Sequence, residues 1–390
     1  MKILLAHNYY QIPGGEDVVL EKERALLASH GNDAPLFTVN NDEIKRFIDK
    51  LETAWNAPYN RRSKNMMAQK LATLKPDIVH AHNFFPVLSP SIYDACQEAG
   101  VPVVQTLHNF RILCPGALFM RGGKVCEDCL ESSPYQAVFH KCYRESRFGS
   151  LVVARMVAKH KALNTWNTKV DRFIALTAFA KSKFVQGGIE PERISVKPNF
   201  IETDNTPLPP AAGRGGALFV GRLSVEKGIE TLLEAWKNID YKLRIAGDGP
   251  LMEKVKNAGI KNITVLGRLS AREVAKEMRR SAFLVAPSCW YEGFPMVLLE
   301  AFANGLPVIV SRLGSLAEIV EERVTGIRFT AGDAHDFTEK VSWAMGRPEE
   351  LGRMGVNARK TFEDKYNPET NYKTLIGIYR RVIEDKGKKL

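Results

Sequence analysis

No apolar run in this 390-residue chain approaches the roughly 18 residues that a membrane-spanning helix requires. The opening "MKILLAHNYY" has one lysine and a four-residue apolar core, too little for a secretory signal, and reads as a first β-strand. These features predict a cytoplasmic protein. Several chemical signatures are missing as well. There is no G-x-S-x-G, no H-E-x-x-H and no G-x-x-x-x-G-K-[ST], which removes the common serine hydrolase, zinc protease and P-loop readings. Asp-x-Asp occurs nowhere, so the usual short device for holding a divalent cation on a diphosphate is lacking, and no catalytic metal site is expected.

Cysteine is sparse but unevenly placed. Of six, Cys114, Cys126, Cys129 and Cys142 fall in one loop-like region. In a reducing compartment a metal or plain thiols are expected before a disulfide. The single C-x-x-C at 126–129 with two outlying cysteines can close a tetrahedral zinc site, although the spacing departs from familiar ribbons. Free thiols packed in a small core are the favoured reading.

The charge is also uneven. The formal net charge is +11, and between Lys141 and Lys183 ten Lys/Arg face only Glu145 and Asp171. Such a stretch suits a solvated surface, nucleic acid, an anionic membrane or a polyanionic substrate. Aromatic residues do not alternate with the basic ones as single-strand stacking requires, so nucleic acid is disfavoured. Part of this region, "SRFGSLVVARMVAKHKALNTWNTK", predicts a basic helix with an apolar face, suited to docking on an anionic membrane or to core packing.

What the chain has is alternation. Short β-branched runs at 2–6, 34–39, 77–81, 101–107, 172–177 and 193–198 predict one parallel sheet. Runs at 216–221, 242–247, 262–267, 282–287 and 306–311 predict another, with helical stretches between them. The segment "TDNTPLPPAAGRGGA" (203–217), with three prolines and three glycines, reads as a linker. The predicted division is therefore 1–200, 201–370 and a closing amphipathic helix at 371–390 that packs on either domain. Two doubly wound α/β domains facing across a cleft place ligands at the carboxyl ends of the strands.

Four segments carry candidate chemistry there. "VGRLSVEKG" brings out Arg222 and Lys227 after the first strand of the second half, a planar fork and a point charge suited to a diphosphate. "CWYEGFPMVLLEAFANG" predicts a helix starting near Pro295, with Glu292 and Gly293 in the preceding loop and Glu300 on the second turn. A helix start suits phosphate, and carboxylates beside it suit ligand hydroxyls. "QIPGGEDVV" offers Gly14 and Gly15 for positive φ and close approach to a phosphate, although it is no G-x-G-x-x-G fingerprint. "VQTLHNF" places His108 just past a strand end, able to bond a hydroxyl or move a proton. "AGDGPL" and "LGRLS" are further strand-end turns.

Together, "GRLSVEKG", "GDGPL", the early "GGE", "KPNFIE" and above all the E-x7-E from Glu292 to Glu300 resemble the retaining glycosyltransferases of family four, of GT-B architecture. The resemblance runs over most of the chain. It implies a UDP-sugar donor, with glucose a mild preference, a glycan or lipid-linked oligosaccharide acceptor, and no metal or other cofactor. Arg222 and Lys227 would neutralise the donor diphosphate and Glu300 would bind the ribose. Glu292, Gly293, Phe294 and Pro295 would hold the sugar, and His108 would contact it. Gly14 and Gly15 would approach the phosphate, and Arg268 and Leu269 would flank the base. The implied chemistry is front-face transfer in polysaccharide biosynthesis, at the inner face of a membrane or free in the cytoplasm. The cysteine-bearing insert after His108 is not part of the family core and is expected to shape the acceptor side. A nucleotide-sugar epimerase or glycan phosphorylase shares the architecture. However, no second acid/base partner for His108 is evident, nor a lysine-bound pyridoxal phosphate signature.

Overall fold

The computed structural model describes every residue except 12–13, 42–46, 204–207, 209–212 and 388–390. Much of the expected linker, and the two residues ahead of the glycine pair, therefore lie outside the described residues. The chain divides into two compact units: 1–121, 126–199 and 371–390 form the first, and 122–125 and 200–370 the second.

In chain order the first unit contributes β1 (Ile3–Tyr9), β2 (Leu36–Asn40), β3 (Ile78–Asn83) and β4 (Val103–Leu107). A short hairpin follows, β5 (Met120–Arg121) paired with β6 (Lys124–Val125), of which β6 groups with the second unit, and then come β7 (Arg172–Ala175) and β8 (Ile194–Val196) of the first. The six long-range strands form a parallel sheet in the order β2-β1-β3-β4-β7-β8. The helix Pro368–Asp385 lays Leu375, Ile376, Tyr379, Val382 and Ile383 against Ile3, Leu5, Ile78 and Val104. Each such fully buried side chain contributes about 1.5–3 kcal/mol.

The second unit contributes β9 (Ala217–Val220), β10 (Leu243–Ala246), β11 (Ile263–Gly267), β12 (Phe283–Ala286), β13 (Val308–Ser311) and β14 (Gly326–Phe329). They form a parallel sheet in the order β11-β10-β9-β12-β13-β14. This is the order of a dinucleotide-binding Rossmann domain, with its reversal between β9 and β12. The central strands FLVA and VIVS are buried at every position, as helices on both faces of a parallel sheet require.

All eleven predicted strands are present. β14 escapes sequence reading because it opens on a glycine and carries an arginine in a four-residue run. The glycine has a packing reason, since a Cβ on Gly326 would lie 2.3 Å from the Val308 carbonyl oxygen of the neighbouring strand.

The basic helix forms over Arg147–Ala162, capped by Ser146, which accepts from the Gly149 N–H at 3.1 Å. Its apolar face differs from a membrane-docking one. Val152, Val153, Ala154, Met156 and Val157 are buried inward, and only Phe148 and Leu151 remain on the outside. Among the described residues no helix is long and apolar enough to cross a membrane.

Candidate functional site

The loop after β9 is built by close backbone packing. The Gly221 N–H donates to Ala246 O and Leu223 N–H to Asp248 O, fixing the loop over the end of β10. Residues Val225–Lys227 form a single 3-10 turn that ends at Gly228, φ +70°. A Cβ there would sit 1.8 Å from the Pro287 carbonyl oxygen, so only glycine lets this loop close on the loop after β12. The Cys289 N–H then donates to Glu226 O at 3.0 Å, stitching the two loops together.

The result is a contact between two residues that the sequence assigned to separate tasks. Lys227 Nζ donates to Glu292 Oε1 at 2.6 Å, and Ser288 Oγ donates to the same oxygen at 2.7 Å. Glu292 is 6% exposed, so the ammonium is its charge partner in a largely dry setting. Both bonds land on Oε1, which leaves Oε2 available to a ligand hydroxyl. Lys227 also lies 5.7 Å from the Trp290 ring centroid. Arg222, on the same loop, is exposed.

The helix Met296–Ala303 begins one residue later than Pro295, which serves as its N-cap with an extended ψ of 93°. Proline is thus outside the first turn, where the sequence had placed it. Gly293 and Phe294 lie in the approach, and Glu300 occupies the second turn, half-buried. Arg268 and Leu269 follow β11, two strand spacings from β9, or about 10 Å. Arg222, Lys227, Glu292, Gly293, Phe294, Pro295, Glu300, Arg268 and Leu269 thus all lie at carboxyl ends of strands in one unit, around the switch between β9 and β12. Another cavity of this unit, about 160 Å³, is lined by Ala282 and Pro307 at the amino ends of β12 and β13, away from that edge.

In the first unit His108 is not the isolated histidine that the sequence suggests. Its Nε2 lies 3.0 Å from His82 Nδ1, and the rings stack at 5.2 Å. His82 Nε2 lies 3.2 Å from Glu23 Oε1, and Glu23 Oε2 accepts from Lys197 Nζ at 3.0 Å. Glu23, His80, His82 and Lys197 are all buried. Burial alone would raise the Glu23 pKa, but Lys197 and the two imidazoles outweigh it and hold the carboxyl well below its usual range. His82 Nε2 and Glu23 Oε1 make no hydrogen bond at this distance, and of the two facing nitrogens of His82 and His108 one donates to the other. With the proton on His108 Nε2, its Nδ1 is an acceptor for a ligand hydroxyl. Burial, then the neighbouring His82, hold the His108 pKa well below 6.5, so the ring is neutral.

Among the described residues, Glu23, His80 and His82 are the one group of metal-type donors within 4.8 Å of one another. Lys197 already supplies the cation there, and Tyr379 Oη and Thr106 Oγ1 occupy the two His80 nitrogens at 2.6 and 2.7 Å. The cluster is an ion-pair network, not a metal site.

Gly14 and Gly15 do not use positive φ, contrary to the sequence reading. Gly14 is an extended N-cap at φ −114°, and Gly15 opens the helix Gly15–Ser29. A Cβ on either would meet nothing within 4 Å, so the space before them is open. Asp17 braces this loop, accepting from Gly14 N–H and from His7 Nε2, both at 2.7 Å. Beside it is a residue that sequence reasoning passed over. Glu16 bonds Asn109 Nδ2 at 3.3 Å, and its Oε1 is buried without a hydrogen bond. Burial pushes its pKa up to about 7, with Tyr10, Arg111 and Asn109 opposing. The "GGE" triplet was a signal for it. His80 and His82, two apart on β3, were legible as a same-face pair in "VHAHN".

Two parallel six-stranded Rossmann-like sheets, each with polar residues gathered at carboxyl strand ends, define the GT-B class of transferases. Two family models match: "Glycosyltransferase Family 4" over residues 14–205 and "Glycosyl transferases group 1" over 202–361. The chain belongs to this family, the retaining glycosyltransferases of family four. An uncharacterized glycosyltransferase of Methanocaldococcus jannaschii is 38% identical over 43% of this chain and 47% of its own length. The N-acetyl-alpha-D-glucosaminyl L-malate synthase of Bacillus anthracis is 24% identical over 99% of this chain and 98% of its own. The structure of Anabaena HepE in complex with UDP-glucose superposes with a TM-score of 0.67 at 17% identity, over 97% of this chain and 99% of that one.

Proposed function

We propose that this chain is a metal-independent hexosyltransferase that moves a hexose, with glucose favoured, from a UDP-sugar to a glycan or lipid-linked oligosaccharide in polysaccharide biosynthesis. The observation that carries the donor assignment is the Lys227–Glu292 contact, which joins the carboxyl ends of β9 and β12. It presents a cation for a diphosphate and a carboxylate for sugar hydroxyls side by side, next to exposed Arg222 and a helix start. In this reading Glu300 grips the ribose, while Arg268 and Leu269 flank the base. Gly293, Phe294 and Pro295 shape the sugar pocket. The His108 Nδ1 acceptor receives a sugar hydroxyl, and Gly14 and Gly15 leave room for the phosphates. The UDP-glucose held by HepE supports the choice of donor.

The transfer follows a front-face course. The C1–O bond to the diphosphate breaks, the acceptor oxygen bonds C1 on the same face, and its proton passes to a departing phosphate oxygen. Arg222 and Lys227 stabilise the charge that develops on that diphosphate. The lack of Asp-x-Asp in the sequence supports a role for these bases where other enzymes use a cation. The products of UDP-glucose turnover are to be followed by proton NMR. Retention of the α configuration, with Lys227→Ala lowering kcat about 10²–10³-fold, is expected. Inversion, or near-full turnover by the variant, contradicts the assignment.

A cavity of about 410 Å³ in the first unit supports a glycan acceptor. Phe85 and Tyr143 line it, and the Arg111 guanidinium lies 4.6 and 5.2 Å over their rings. Nearby, Trp55 and Tyr135, 74% and 41% exposed, line one recess with Arg155 and Lys159. Exposed aromatics among cations suit a peripheral contact with anionic lipid at the inner face of the membrane. Co-sedimentation with phosphatidylserine vesicles at low salt, weakened in Trp55→Ala and by added salt, is expected. No sedimentation at low salt removes the membrane from this reading.

A further inference from the structure

Toward the carboxyl ends of β1, β3 and β4 the first unit packs four imidazoles together: His7, His80 and His82 from the strands and His108 just beyond β4. Half of the chain's eight histidines are in this one group. A buried imidazole is harder to accommodate than an apolar side chain of its size, because its ring nitrogens need partners. The partner of each nitrogen therefore shows what each ring can do.

Three of the four rings are closed to any ligand. His80 has Tyr379 Oη at 2.6 Å on Nδ1 and Thr106 Oγ1 at 2.7 Å on Nε2. His7 meets Asp17 Oδ1 through Nε2 at 2.7 Å. Both rings are fully covered, and His82 is only 2% exposed. His108 is half-buried, so of the four it alone is open to a ligand.

His82 stands between the closed rings and the open one. Its centroid lies 4.2 Å from that of His80, 6.4 Å from that of His7 and 5.2 Å from that of His108. β3 is paired on both sides, with β1 and with β4, and is buried throughout, so the ring has little room to turn. Its Nδ1 lies 3.0 Å from His108 Nε2, and among the described residues this is the one side-chain hydrogen bond that either ring makes. A single proton sits between the two nitrogens, since two lone pairs or two N–H groups at that distance would repel. Whichever ring carries it, His108 Nε2 is occupied and Nδ1 is the nitrogen left over. Turning the His108 ring by half a turn would break the bond and exchange the two nitrogens.

We propose that His82 is a positioning residue for sugar transfer: through its bond to His108 it holds that ring so that Nδ1, and not Nε2, meets the donor sugar, a role that rests on reading His108 as the group that receives a sugar hydroxyl. His82 touches no ligand itself and acts only through its neighbour. An apolar side chain at position 82 would fill the space but give His108 Nε2 nothing to bond, and the ring could then take either orientation. The resulting defect belongs to the sugar and not to the nucleotide, whose proposed contacts lie in the second unit.

UDP and UDP-glucose are to be titrated into the full-length protein by calorimetry. UDP reports the nucleotide site and the fold, and the ratio of the two affinities reports the contact with the sugar. His108→Ala and His82→Leu should each weaken UDP-glucose about three- to tenfold, as expected for one hydrogen bond, with UDP unchanged. The double variant should be no weaker than His108→Ala alone, because His82 has no other route to the ligand. His82→Asn, whose amide falls near the position of Nδ1, should keep the wild-type affinity. His82→Gln, whose amide falls near Nε2, should not, and this polar pair decides the matter if leucine unfolds the chain. Losses that multiply in the double variant, an equal loss for UDP in folded His82→Leu, or glutamine serving as well as asparagine overturns the proposal. Unchanged UDP-glucose binding in His108→Ala removes the reading of His108 itself, and does so without any change at position 82.

Discussion

A glycine with negative φ at a helix start, with empty space before it, does nothing for the folded chain that alanine could not do. Gly15 is such a residue. Alanine there should leave stability unchanged or raise it by about 0.4–1 kcal/mol, because the unfolded chain loses freedom. If the open space belongs to the donor phosphates, the same methyl group should raise KM for the donor or lower kcat. Thermal melts and steady-state kinetics on Gly15→Ala separate the two effects. A stable variant with unaltered kinetics would remove this glycine from the site. Gly228 is the opposite case, since its Cβ would collide with the Pro287 carbonyl oxygen whatever ligand is bound. The sequence does not distinguish these two glycines. Only the backbone angle and the neighbouring atoms do.

At the scale of elements, the first unit is tied together by a polar core. Glu23 comes from the first helix, His80 and His82 from β3, Lys197 from the chain after β8, and Asn371 and Tyr379 from the last helix. Lys197→Met leaves the Glu23 carboxylate buried without its cation and should destabilise by about 3–5 kcal/mol. Adding Glu23→Gln should recover most of that loss in urea unfolding. A double variant as unstable as the single one would contradict the pairing. Since the Glu23 pKa is held below its unfolded value, its contribution is present at neutral pH and is lost as pH falls through the acid range.

Beyond the His80–His82 pair, this network was not legible in the sequence, because bonded members lie as many as 299 residues apart and only the fold assembles them. The strands were legible, because parallel strands buried on both faces must be continuous apolar runs. β14 broke that pattern with Gly326 and Arg328 and was missed. The residues around Lys227 and Glu292 stood out because each lies in a contiguous loop at a strand end. Their mutual contact did not, since it depends on Gly228 closing one loop against the other.

For the whole molecule, the two sheets differ in strand order. The second has its reversal between β9 and β12, where the residues proposed to hold the donor gather. The first gathers histidines, Glu16 and an aromatic cavity at its carboxyl strand ends. This division of labour predicts that nucleotide binding depends on Glu300 and on the cations that meet the diphosphate, and hardly on the first unit's aromatic cavity. The most direct measurement is thermal unfolding of wild type and Glu300→Ala with UDP, GDP or ADP. Stabilisation by UDP of about 2.7 kcal/mol at roughly 100 times its Kd, absent in the variant, is the predicted result. No response to any nucleotide, or an equal response in Glu300→Ala, would contradict a donor site built on the E-x7-E segment.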